Sequence, residues 1–242
     1  QNDNDYLVLN VDNGITEGFR DISRSKIITY STIDSKANYY IDNDHNVYEN
    51  GSILLNIKDS KLEGKHNEYN ILAAIATSKI YDITVEDISD VLRNFNGVKG
   101  RQELIRELNG IRFYNDTTAT SVEAMIAMFE RFGEKNKRKM IMIAGGVDKG
   151  LDYSRITGYV RDYLKSLILL EGTASEKIYE SVNDLDNIYK YYDDLGKAVE
   201  KAYEIAIPGD MIILCPGGAS FNMFANEFDR GDKIVNYVNL LK

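Results

Sequence analysis

Four short clusters in this chain join residue types that do chemistry at phosphates and carboxylates. Asn115-Asp116-Thr117-Thr118-Ala119-Thr120 combines a carboxylate with hydroxyls. Free N–H groups at a helix start beside such hydroxyls suit an anion, and Asp116 can bond a hydroxyl or stand near a metal. N-capping of the next helix by Thr120 or Ser121 explains the same residues equally well. Gly145-Gly146-Val147-Asp148-Lys149-Gly150 sets a lysine on a glycine-flanked loop. Backbone can approach a ligand closely there, and the ammonium supplies a point charge for a carboxylate or phosphate. Its plainer counterpart is a solvated loop lysine.

Pro216-Gly217-Gly218-Ala219-Ser220 offers amides and a hydroxyl to a carboxylate, or simply a tight turn and cap. Gly64-Lys65-His66-Asn67-Glu68-Tyr69-Asn70 carries two side-chain amides that donate and accept at once, as an adenine edge requires. Capping accounts for Asn67 and Asn70 without a ligand. A serine nucleophile at Ser220 is disfavoured, because both histidines, His45 and His66, lie in the other half of the chain. The Gly-Lys pairs at 64–65 and 196–197 lack the following Ser/Thr and the upstream glycine of a P-loop, and no GxGxxG follows a strand.

The elements that must position these clusters change character along the chain. Residues 1 to 60 read as short strands: Tyr6–Asn10, Lys26–Tyr30, Asn38–Val47 folding around Asp42-Asn43-Asp44, and Ser52–Ile57. Next comes an Ala-rich helix whose Asn70, Ala73, Ala74, Thr77 and Ile80 share one face, expected to pack closely on a sheet. A second helix starts at Thr84, with Asp87 completing a capping box, and runs to about Asn94. After Gly97 strands and helices alternate. The strands are Ile111–Tyr114, Lys139–Ala144, Leu167–Leu170, Ile188–Tyr191 and Met211–Cys215; the helices are Ser121–Phe132, Tyr153–Leu164, Ser175–Val182, Leu195–Ala206 and Phe221–Leu241. That alternation predicts an α/β domain, a parallel sheet covered on both faces, with a boundary near residues 96–98. Ligands of open parallel sheets bind at the carboxyl ends of the strands, where three of the four clusters fall.

Composition narrows the classes. With 242 residues the chain makes one large domain or two small ones. The 29 basic and 38 acidic residues give a net charge of −9, which argues against nonspecific nucleic-acid binding and an anionic membrane surface. A lone cysteine excludes a disulfide framework and fits a reducing, cytoplasmic compartment.

Taken in order, His66-Asn67-x-x-Asn70, Phe95-Asn-Gly-Val-x-Gly-Arg101-x-Glu103, Tyr114-Asn-Asp-Thr-Thr-Ala-Thr120, Gly-Gly-x-Asp-Lys149, Pro216-x-x-Ala-Ser220-Phe221 and Asn226-Glu-Phe-Asp-Arg-Gly231 resemble the Mur ligase family. The resemblance runs from about Tyr6 to the C-terminus. It is strongest to the branch that adds D-glutamate to UDP-N-acetylmuramoyl-L-alanine, an ATP-dependent, amide-forming step in peptidoglycan precursor synthesis. It implies the late part of a central ATPase domain over residues 1–96, lacking the P-loop, and a C-terminal Rossmann-like, amino-acid-binding domain over 97–242. ATP and Mg2+ are the implied cofactors. The metal ligands, a modified lysine, the P-loop and the UDP-sugar domain are expected before residue 1, and the chain alone is expected to be inactive.

Residue by residue, the resemblance matches Asn67 and Asn70 to asparagines near the adenine, Arg101 to an arginine that contacts ATP, and Asp116 to the aspartate that holds the nucleotide. Thr120, Lys149, Ser220 and Phe221 match positions around the incoming D-glutamate. Phe228 is the candidate for an aromatic lining that pocket. Lys149, the catalytic candidate, would pair with a substrate carboxylate. The chain departs from the family pattern at Gly100, Thr118, Ser121 and Glu227, where His, Lys, Asn and an aromatic are usual. Two other readings stay open: a Mur or folylpolyglutamate-type ligase adding a different amino acid, and a non-catalytic α/β binding module.

Overall fold

Strand-forming alternation and one strong change of period build two separate sheets. The computed structural model describes residues 1–242, and the chain divides into two units, 1–97 and 98–242. In the first unit, β1 (Tyr6–Asn10), β2 (Lys26–Ser31), β3 (Tyr39–Ile41), β4 (Asn46–Glu49) and β5 (Ser52–Asn56) form a sheet in sequence order. The first three run parallel, and the Asp42–Asn46 turn reverses the chain into antiparallel β4 and β5. A short helix α1 (Gly14–Glu17) lies between β1 and β2, and helices α2 (Lys65–Ile80) and α3 (Val85–Asn94) follow β5. Thr84 caps α3, its hydroxyl accepting from Asp87 N at 3.1 Å and donating to the Asp87 carboxylate at 2.6 Å.

The face of α2 expected to meet the sheet does not do so. Ile71, Leu72, Ile75 and Ala76 are buried against Tyr39, Ile41, Val47 and Leu55, while Asn70, Ala74 and Thr77 are exposed. Branched side chains bury more apolar area per position than alanine, so the Ile/Leu side wins the interior.

In the second unit, β6 (Glu103–Leu108), β7 (Ile111–Asn115), β8 (Met140–Gly145), β9 (Leu164–Leu170), β10 (Ile188–Tyr192) and β11 (Met211–Gly217) form one sheet, ordered β10-β9-β8-β11-β7-β6. Its strands are parallel except for the β6–β7 pair. The wholly parallel sheet expected from the alternation is therefore corrected by one antiparallel edge strand. Its cause is local: Asn109 and Gly110 both take positive φ, 53° and 76°, which makes the two-residue hairpin turn that Asn-Gly favours.

Side chains alternate between the two faces, as along β8. Met140, Met142 and Ala144 join one core with α4 (Val122–Phe132), α5 (Thr157–Tyr163) and α6 (Thr173–Val182). Ile141 and Ile143 join the other with α7 (Leu195–Ile205) and α8 (Glu227–Leu240). Two helix expectations shift. Tyr153–Leu164 splits into a 3₁₀ turn at Tyr153–Ile156 and the shorter α5. The last helix starts at Glu227 rather than Phe221, because the Asn226 side chain accepts from the N–H groups of Phe228 and Asp229 and caps it there. No helix is long and apolar enough to cross a membrane.

Candidate functional site

Because β8, β11 and β7 are neighbours and parallel, the loops leaving their carboxyl ends meet on one side of the second unit. Backbone hydrogen bonds knit them together. Gly217 N donates to Ala119 O at 2.8 Å, Ala174 N to Gly146 O at 2.9 Å, and Val147 and Ala219 exchange N–H···O bonds of 2.8 and 2.9 Å. Gly146, at φ 125°, is required there: a Cβ would lie 2.2 Å from Ala219 O. A rigid, closely layered set of turns results.

The Val147–Ala219 pairing brings the Lys149 loop beside the Ser220 loop. Lys149 Nζ donates to Thr120 Oγ1 at 3.0 Å, and its neighbour Asp148 faces away to pair with Lys177. That pairing holds the Asp148 carboxyl below its usual range, and Asp148 N donates to Thr173 Oγ1 at 2.9 Å. Ser121, not Thr120, caps α4 by accepting from Ala124 N, so the Thr120 hydroxyl is left for Lys149. Ser220 is not a cap either. Its carbonyl accepts from Met223 and Phe224 N–H, while its buried Oγ has no hydrogen-bond partner. A buried polar atom left unmatched is costly, and such atoms are rare away from ligand sites. Phe221 and Phe228 are both exposed apolar rings, 72% and 63% accessible, on the segment that follows Ser220.

Asp116 occupies a different environment from the surface strand end its position suggests: it is 4% exposed. Its N–H donates to Leu214 O. Oδ1 accepts from Gln102 N at 3.1 Å, and buried Oδ2 has no hydrogen-bond partner. Burial pushes this carboxyl up to about 7, against the opposing pull of the Gln102 N–H and of Arg101 and Arg131. Arg101 itself is exposed on the loop ahead of β6.

In the first unit, Asn67 and Asn70 share the start of α2. Capping does not explain them, since Gly64 is the N-cap and no side chain caps that helix. Asn67 Nδ2 donates to Glu63 O at 2.7 Å, and Asn70 Nδ2 to Asn67 Oδ1 at 3.4 Å. The two amides form a small chain on the helix surface.

Reading the sequence residue by residue overlooks two groups. Arg230 is fully buried and hydrogen-bonds both Thr117 and Gly218; it stands inside the Asn226–Gly231 motif without an evident task. Tyr153 donates its hydroxyl to Gly217 O at 2.9 Å from a buried position, and burial raises its pKa well above the usual phenol range.

Residues 100–218 match the family described as Mur ligase, glutamate ligase domain. A UDP-N-acetylmuramoylalanine–D-glutamate ligase of Ruminiclostridium cellulolyticum is 38% identical, covering 100% of this chain and 53% of the relative. The enzyme of the same name from Streptococcus pneumoniae strain Hungary19A-6 is 31% identical over 98% of this chain and 52% of its own length. The chain thus spans about half the length of the curated relatives it matches. Among solved structures, a UDP-N-acetylmuramate-alanine ligase MurC of Thermotoga maritima aligns with a TM-score of 0.68 at 17% identity, over 98% of this chain and 60% of that one. A MurF ligase of the same organism, crystallised with ADP, aligns with a TM-score of 0.68 at 14% identity, over 97% and 53%.

Proposed function

The chain belongs to the Mur ligase family, and we propose that it supplies the amino-acid-binding side of an ATP-dependent ligase that adds D-glutamate to UDP-N-acetylmuramoyl-L-alanine. Residues 98–242 are the Rossmann-like, D-glutamate-binding domain. Residues 1–97 are a part of a larger ATPase domain, a reading supported by the roughly half-length coverage of the relatives and by β1 standing at an open edge of its sheet.

One observation carries the proposal. The Val147–Ala219 pairing joins the loop of Lys149, a cation, to the loop of Ser220, a buried hydroxyl without a partner. A dicarboxylic amino acid suits that pair. Lys149 and Thr120 bind one carboxylate, Ser220 and nearby amides bind the other, and Phe221 and Phe228 flank the aliphatic stem. Lys149 also offsets negative charge developing near the attacking amine.

The nucleotide side fits ATP through Asp116, whose unmatched Oδ2 can accept from a ligand hydroxyl, and through exposed Arg101. Asn67 and Asn70 fit an adenine edge. ATP with Mg2+ supplies the phosphoryl group that activates the acceptor carboxylate; the residues of this chain bind and orient. The test is titration of the 15N-labelled chain with D-glutamate, L-glutamate and D-alanine. D-Glutamate should shift the amide signals of Lys149 and Ser220, and the other two should not. Equal responses to all three would overturn the assignment of D-glutamate.

A further inference from the structure

We infer that Thr118 is a positioning residue for Arg101, clamping the loop that presents this arginine to the nucleotide. The inference rests on the nucleotide role proposed for Arg101. Gly100 immediately precedes Arg101, and its carbonyl accepts two hydrogen bonds from one residue: Thr118 N at 3.1 Å and Thr118 Oγ1 at 3.0 Å. Gly100 N donates to Glu103 Oε2 at 2.8 Å. On the other side of Arg101, Gln102 N donates to Asp116 Oδ1 at 3.1 Å. Both peptide groups flanking the arginine are therefore tied to the turn at Asp116–Thr118.

The turn itself is tight enough to specify the residue ahead of Arg101. Gly100 has φ 74°, and a Cβ there would come 2.9 Å from Thr117 Cγ2. Glycine takes this positive φ without strain and leaves the loop room to lie against the threonine pair. The Arg101 side chain stays exposed while its backbone is held, the arrangement expected of a cation presented to a ligand rather than used in packing. The Thr118 hydroxyl is half of the grip on Gly100, and Thr118 sits only partly buried, so removing the hydroxyl loosens the loop without opening the core.

The experiment is a double-mutant cycle on the 242-residue chain, with ATP affinity read from NMR titration. Thr118→Val keeps the shape and the main-chain bond but loses the hydroxyl. It should weaken ATP binding roughly two- to tenfold, the range for one neutral hydrogen bond, with the thermal midpoint lowered by only a few degrees and the response to D-glutamate unchanged. Thr118→Ser should restore wild-type affinity. On an Arg101→Ala background, Thr118→Val should have no further effect, because it acts through the arginine. Unchanged ATP affinity in Thr118→Val while Arg101→Ala binds more weakly would overturn the inference, and so would additive losses in the double variant. If Arg101→Ala itself binds ATP like wild type, the nucleotide role of Arg101 falls first.

Discussion

Arg230 grips Thr117 at two points: Nε donates to Thr117 Oγ1 at 3.1 Å and Nη2 to Thr117 O at 2.8 Å. Its Nη1 reaches Gly218 O at 3.3 Å. One buried guanidinium thus joins the turn that carries Asp116 to the turn that carries Ser220. Burial pulls its pKa down to about 10, partly opposed by Glu227, so it stays charged at neutral pH. Thr117 Oγ1 in turn donates to Glu227 O at 2.7 Å, which fixes the start of α8 to the same knot.

Removing this side chain strands buried carbonyls and leaves a void. Arg230→Ala is expected to cost about 3 kcal/mol or more, seen as a fall of roughly 6–12 °C in the thermal midpoint of a unit this size. Differential scanning calorimetry measures it. A fall of under about 2 °C would mean that the backbone bonds between the loops suffice without the arginine.

Much of the second unit is legible in the sequence because its strands are apolar runs and its helices carry 3.6-residue periodicity. Glycine-marked turns then show where strand ends lie, and three clusters of candidate residues come together there as expected. What escapes has physical causes. Edge strand β6 is only half apolar, and its signal is the Asn109-Gly110 turn rather than its own residues. The helical pattern of Phe221–Leu241 runs through six residues that Asn226 excludes by capping further along. Arg230 reads as a surface charge on an amphipathic helix, since its partners, Thr117 and Gly218, stand on turns outside that helix. The sheet-facing side of α2 turns on Ile against Ala, a choice between two faces that are both apolar.

Asp116 should make stability depend on pH in an unusual direction. Its carboxyl is raised to about 7 in the folded chain, against about 4 when unfolded. Between those values the folded state holds a proton that the unfolded state has lost, so this group's contribution to stability falls as pH rises and levels off above about 7. Asp116→Asn is neutral throughout and lacks that slope. Urea midpoints from about pH 5 to about pH 8 should therefore show the variant gaining on wild type as pH rises. A gap that stays constant with pH would mean Asp116 is ionised across the range.

Lys149 is exposed and bonded only to Thr120 Oγ1, so the fold should not need it. Lys149→Ala should leave the thermal midpoint unchanged and weaken D-glutamate binding at least tenfold, as the loss of a charged hydrogen bond of about 1.5–3 kcal/mol implies. Lys149→Arg separates charge from shape. If D-glutamate binds Lys149→Ala as it binds wild type, the carboxylate contact lies elsewhere.

The last expectation concerns turnover by the 242-residue chain. ATP-dependent ligation needs backbone amides and a lysine around the β- and γ-phosphates, as a P-loop supplies them. The Gly64-Lys65 and Gly196-Lys197 pairs are followed by His66 and Ala198 rather than Ser or Thr. Gly64-Lys65 opens α2, and Gly196-Lys197 falls inside α7, where Gly196 is buried. Asn67 and Asn70 in the first unit, and Arg101 and Asp116 in the second, each offer a nucleotide only a few contacts, which points to millimolar ATP affinity or weaker, about 4 kcal/mol. Given ATP, Mg2+, D-glutamate and UDP-N-acetylmuramoyl-L-alanine together, the chain should release no phosphate above the buffer control. Measurable release, or micromolar ATP affinity, would demand a phosphate cradle among these 242 residues and would overturn the reading of residues 1–97 as part of a larger ATPase domain.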